Sequence, residues 1–111
     1  MDCLLSSQAE RCRMEVYSEY LKKIPQLLKQ LETVEIMYEK AKLEEEMLAL
    51  RDPEDHSVAL YARRLGSTRE QCRLRAADIR EQLRLIFALK AQVERESSAL
   101  RTLMDTQKQE D

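Results

Sequence analysis

Few side chains in this sequence are equipped for chemistry. His56 is the single histidine, with Ser57 beside it and Asp52, Glu54 and Asp55 just before it. A catalytic triad needs a nucleophile, a base and an orienting group held together in a concave pocket. A chain patterned for slim helices builds no such pocket, so His56 reads as a surface residue at a helix start, and the protein as a non-enzyme. Glu44, Glu45 and Glu46 could suggest a metal cluster. Di-metal helical bundles, however, pair each Glu with a His three residues on, and no such pair exists here. A solvated helix face is the better reading. The three cysteines, Cys3, Cys12 and Cys72, include no CxxC spacing. With one histidine they cannot assemble an ordinary zinc site, and reduced thiols of a cytosolic protein account for them. No cofactor is implied.

The arginines are the most informative polar feature. Arg63, Arg64, Arg69, Arg73, Arg75, Arg80 and Arg84 fall within little more than twenty residues. Arginine favours planar carboxylate partners and is enriched at protein interfaces. Positions 69, 73, 80 and 84 are linked by steps of four and seven, so they can form one band along a helix. The competing reading is a solvent face balanced by Glu70, Asp78 and Glu81. Without interleaved aromatics or a recognition motif the run does not predict nucleic-acid binding. The net charge of −2 gives no general attraction to phosphate either.

These residues are carried by helices. The chain has 111 residues, one Gly and two Pro, and lacks Asn. Sheet proteins need turn residues in far greater number. Leu, Glu, Lys, Arg, Ala and Gln dominate, and these lose little rotamer freedom in a helix. The 43% of hydrophobic residues recur at threes and fours, which excludes a disordered chain. No apolar stretch is long enough to span a bilayer or to serve as a signal peptide. The expected class is therefore all-α, one domain over residues 1–111.

Ala9, Cys12, Val16, Tyr20, Ile24, Leu27, Leu31, Val34, Tyr38 and Ala41 form one helical stripe. A second stripe, Ile36, Leu43, Met47 and Leu50, joins it. Two stripes on one helix imply two packing neighbours, whereas a two-stranded coiled coil needs only one seam. The spacing thus predicts an elongated antiparallel three-helix bundle with helices near 8–51, 54–66 and 68–107. Pro25 should kink the first helix or break it. Pro53 ends it, and Asp52, Glu54 and Asp55 suit the start of the next. Gly66 fits the position just past a helix end, and Ser67 with Glu70 has capping-box spacing. One feature opposes a break there: the stripe from Val58 to Leu83 keeps its phase through Gly66. The alternative is accordingly a long two-helix hairpin. Leu31, Val34, Ile79, Leu83 and Ile86 should be among the most buried residues. The methionines Met14, Met37, Met47 and Met104 are expected to fill gaps between helices, and the tyrosines to sit half-buried at the rim.

Met37-Tyr38-Glu39-Lys40, and Glu44-Glu45 through Leu50-Arg51 followed by the acidic Asp52-Pro53-Glu54-Asp55, resemble the end of the first helix and the loop of tubulin-binding cofactor A, a family of β-tubulin-specific chaperones. Val58, Ala62, Leu65, Thr68 and Arg69, then Ile79 and Leu83, are similar to the pattern of that family's second and third helices. The likeness covers residues 34–90. It departs at Glu70-Gln71-Cys72-Arg73, where the family carries a Met-Met-Ile-Pro-like run, and in the longer N-terminal arm. The resemblance implies a cytoplasmic, cytoskeleton-associated three-helix bundle. Such a protein, a monomer or weak homodimer, would capture β-tubulin without nucleotide, the partner meeting Arg63, Arg64, Arg69, Arg73, Arg80 and Arg84 or the acidic Glu44 and Glu45. The other reading open to such a sequence is a helical structural subunit of a trafficking or kinetochore-type complex.

Overall fold

The computed structural model describes the backbone of residues 2–51 and 54–110 and the side chains of residues 7–51 and 54–106. Cys3 lies outside the described side chains, and Asp52 and Pro53 outside the described backbone. Two helices account for nearly all of the rest: α1, Asp2–Leu48, and α2, His56–Glu110. The all-helical class holds, and the two-helix alternative replaces the three-helix bundle.

The first departure is at Pro25, which lies inside α1. Its ring removes one backbone donor, yet the helix continues on both sides without a break. The second is at Gly66, which lies inside α2. No glycine has positive φ, so Gly66 is not a helix terminator, and Ser67 and Glu70 sit in mid-helix rather than in a cap. The reason is tertiary. Leu65, Cys72, Ile79 and Ile86 are all buried at seven-residue intervals, and a break at Gly66 would throw the second half of that row out of phase. Burial along the row outweighs the roughly 1 kcal/mol that glycine costs inside a helix. A Cβ at Gly66 would stand 3.5 Å from a carboxylate oxygen of Glu45, an ordinary contact distance.

The ends at the connection are locally determined. α1 tightens as it stops, with Leu50 N–H donating to the Met47 carbonyl at 3.2 Å and Arg51 N–H to that of Leu48 at 3.0 Å; such short-range bonds satisfy carbonyls a helix end would orphan. Asp55 caps α2. Its Oδ1 accepts from the Ser57 backbone N–H at 3.0 Å and from the Ser57 hydroxyl at 2.7 Å. These bonds to Ser57 hold the Asp55 carboxyl below its ordinary pKa.

Two compact units emerge along the chain. One comprises Met1–Ile24 with Leu83–Asp111, and the other Pro25–Gln82. In the 25–82 unit, Leu27, Val34, Ala41 and Leu48 of α1 are buried, as are Leu65, Cys72, Ala76 and Ile79 of α2. Leu31, Tyr38 and Glu45 are half-buried between the α1 positions. Ala41, Leu48 and Leu65 form a cluster against which Val58 and Ala62 pack. This is a single seam with heptad spacing, the pattern of a two-stranded coil. In the other unit Leu83 and Ile86 are the buried hydrophobic residues among those described, and Tyr17, Leu21, Leu89 and Val93 are half-buried.

The core expectation is met at Val34, Ile79, Leu83 and Ile86, with Ile79 the most buried at 2% exposure; Leu31 is half-buried. The second stripe behaves otherwise. Ile36, Leu43, Met47 and Leu50 are exposed, at 60% or more. Among the described residues nothing covers this second stripe.

Candidate protein-binding face

The 25–82 unit has two unlike faces. On one, charged side chains reach between the helices. Arg69 Nε lies 3.0 Å from a Glu45 oxygen, and an Arg80 guanidinium nitrogen 2.8 Å from Glu35. The Tyr38 hydroxyl and then Glu45 raise the pKa of Arg69 above its ordinary value. Arg73 instead pairs along its own helix with Glu70, its Nε donating at 2.9 Å. That pairing raises the pKa of Arg73 and lowers that of Glu70. The arginine band expected from the spacing is therefore committed internally at 69, 73 and 80. Arg84 falls in the other unit. Arg63 and Arg64 are exposed and form no ion pair among the described residues. Glu45 serves Arg69, and Glu44 accepts the Tyr61 hydroxyl at 3.2 Å.

The opposite face is open. A hollow of about 570 Å³ runs between the helices there, floored by Val34, Met37 and Cys72 and walled by Lys29 and Arg75, with Thr and Gln between. A second hollow of about 220 Å³ shares Met37 and Thr68 with it and adds Lys40, Ala41 and Leu65. A third of about 180 Å³ shares Glu44 with the second and is bounded by Met47, Leu48, Arg51 and Tyr61. Together they form one trench, which from Gln26 to Met47 follows α1 for roughly 32 Å. Met37 is 49% exposed, Met47 61% and Tyr61 48%. These methionines do not fill gaps between the helices; they face outward along the trench.

Four cations line the trench, Lys29, Lys40, Arg51 and Arg75, against one carboxylate, Glu44. None of the four forms an ion pair among the described residues. Sequence reasoning missed Lys29, Lys40 and Arg51 altogether. A signal existed, because residues 26, 30, 33, 37, 40, 44 and 47 lie on one helical line, but it is legible only once the seam is known.

The other unit has a hollow of its own, about 580 Å³, where Met14, Tyr17 and Tyr20 of α1 face Leu89, Val93 and Leu100 of α2. Arg13 and Glu96 bridge it at 2.9 Å. Tyr20 is 40% exposed and Leu100 62%.

His56 is the first residue of α2. Among the described residues no group of three or more His, Cys, Asp or Glu could hold a metal ion. No helix is long and apolar enough to cross a membrane. Compared with known proteins, the chain matches no family model, no curated protein and no solved structure.

Proposed function

We propose that this protein is a helical binding module that works by completing a bundle with a helix or helices from another protein, without catalysis. The observation that carries this is the uncovered apolar side of the 25–82 unit: Met37, Met47 and Tyr61 exposed along a continuous trench. Exposed apolar surface organised in a groove and rimmed by polar residues marks interaction sites, and a helix laid in a groove is a recurring recognition mode. Of the two readings open to the sequence, the trench favours a subunit held in a larger assembly by coiled-coil contacts. The β-tubulin-chaperone reading would use the same face, because the arginines first considered for it at 69, 73 and 80 are occupied by Glu45, Glu70 and Glu35.

Site-specific photo-crosslinking tests the proposal. A photoreactive residue is placed at Met37 or Met47 in the full chain expressed in cells, with Glu39 as a position outside the trench. Crosslinks to a defined helical partner from the two trench positions and not from Glu39 are expected. Recovery of the chain as an uncrosslinked monomer would overturn the proposal. Size-exclusion chromatography with purified tubulin at micromolar concentration separates the readings. Co-elution assigns the chaperone role, and its absence alongside a crosslinked helical partner assigns the assembly role.

A further inference from the structure

We infer that the trench of the 25–82 unit receives an acidic amphipathic helix from a partner protein. The inference rests on the binding-module reading and specifies the chemistry of the partner. Three observations carry it. First, the floor is apolar along its length, with Val34, Met37, Ala41, Met47, Leu65 and Cys72, and matches a stripe of apolar side chains at i, i+3, i+4 and i+7. The trench lies between helices, whose backbone groups are already paired, so it offers no sheet edge to an extended peptide. A helix arrives with its own backbone satisfied. The methionines add a surface that adapts to varied apolar shapes.

Second, the walls are cationic. Lys29 and Arg75 stand at one end, Lys40 midway and Arg51 at the other, with Glu44 the sole carboxylate and already accepting from Tyr61. The whole chain carries a formal charge of −2, so this excess of positive charge is local to the trench. On the other face, by contrast, Arg69 and Arg80 are neutralised by Glu45 and Glu35. Carboxylates flanking the apolar stripe of the incoming helix would meet Lys29, Lys40 and Arg75, which form no ion pair among the described residues, and Arg51, whose charge acts on the exposed Asp55.

Third, the same charge argues against a second copy. A two-fold dimer sets a surface against itself. Here that places Lys29, Lys40, Arg51 and Arg75 opposite one another with only Glu44 to offset them. Like-charge juxtaposition of this kind suppresses pairing.

The probe is a synthetic helix of about 21 residues, matching the six turns of the trench, with Leu and Ile on one stripe and Glu flanking it. A second peptide has Lys in place of each Glu. Binding to the full chain is read by fluorescence anisotropy. The acidic peptide should bind at least roughly tenfold more tightly than the basic one, and lose that advantage as salt rises. Lys29→Glu with Arg75→Glu should weaken the acidic peptide by about tenfold or more. Met37→Asp should weaken both peptides, and Arg73→Glu, outside the trench, neither. Circular dichroism checks that each variant keeps its helicity, and the wall variant, which alters exposed side chains only, keeps the test open if Met37→Asp unfolds. Equal binding of the two peptides, or a wall variant that binds as the parent does, would overturn the acidic-helix assignment. Crosslinks from Met37 to a helical partner would still stand for the module reading in that case. A parent dimer in sedimentation that Met37→Asp dissociates would assign the trench to a second copy and overturn the inference as well.

Discussion

The two units are built from the same pair of helices yet differ in how well they are closed. In the 25–82 unit eight of the ten buried hydrophobic residues follow heptad spacing on both helices, and Arg69–Glu45 and Arg80–Glu35 tie one face. Among the described residues of the unit of Met1–Ile24 and Leu83–Asp111, Leu83 and Ile86 are the buried hydrophobics. That unit leaves Met14, Val16, Tyr20 and Leu100 between 40% and 62% exposed, and one described ion pair, Arg13–Glu96, crosses between its helices. The difference follows from side-chain size and placement. Val34, Ala41, Cys72 and Ala76 are small enough for a tight seam, whereas the unit of Met1–Ile24 and Leu83–Asp111 offers Tyr and Met and keeps a hollow between them. The 25–82 unit is closed along a single seam and open along the trench, and the other unit buries less of its described apolar surface.

The sharpest way to break this contrast is a matched pair of truncations. Ile79→Ala removes a side chain that is 2% exposed and Val16→Ala one that is 56% exposed. Ile79→Ala should cost about 2–4 kcal/mol in a denaturant melt, and Val16→Ala no more than about 0.5 kcal/mol. Comparable losses would show that the unit of Met1–Ile24 and Leu83–Asp111 is packed as firmly as the 25–82 unit.

A smaller effect sharpens the picture of α2. Gly66→Ala should stabilise the chain by about 0.5–1 kcal/mol, because alanine is the better helix former and reduces the entropy of the unfolded state. The added Cβ would meet Glu45 at ordinary contact distance. A destabilised variant would instead restore Gly66 as a helix terminator and with it the third helix.

The smallest effect concerns the cap of α2. The bonds from Ser57 depress the Asp55 carboxyl below the ordinary carboxylate range. A carboxyl depressed in the folded state contributes stability that is present above its ordinary pKa and is lost as pH falls through the lowered one. Acid titration of helicity should therefore contain an Asp55 component at the low-pH end. Asp55→Asn, which caps without titrating, should remove that component, and Asp55→Ala should lower helicity at neutral pH too. An unchanged acid transition in Asp55→Asn would show that the cap contributes nothing to the 25–82 unit.

The heptad rows were legible in the sequence because burial acts directly on spacing, so Leu27, Val34, Ile79 and Ile86 could be read from threes and fours alone. Gly66 misled because its turn chemistry is local, while the reward for continuing the helix lies in Leu65 and Cys72 packing in the seam. The second stripe was read as a face packed against a third helix, and its residues are exposed instead. The arginines of the site misled similarly. Arg69 and Arg80 have their carboxylates 24 and 45 residues away, and only the register of α1 against α2 reveals them. Lys29, Lys40, Arg51 and Arg75 converge for the same reason, and nothing in their spacing along the chain announces it.

The central claim is that the chain alone leaves the trench uncovered, and oxidative footprinting of the methionines addresses it directly. Met14, Met37, Met47 and Met104 are 52%, 49%, 61% and 55% exposed. At a concentration where the chain sediments as a monomer, dilute peroxide should convert Met37 and Met47 to the sulfoxide at rates close to those of Met14 and Met104. Strong protection of Met37 and Met47 together, with Met14 and Met104 still reactive, would mean that the chain covers its own trench, contradicting the open face on which the proposed function rests.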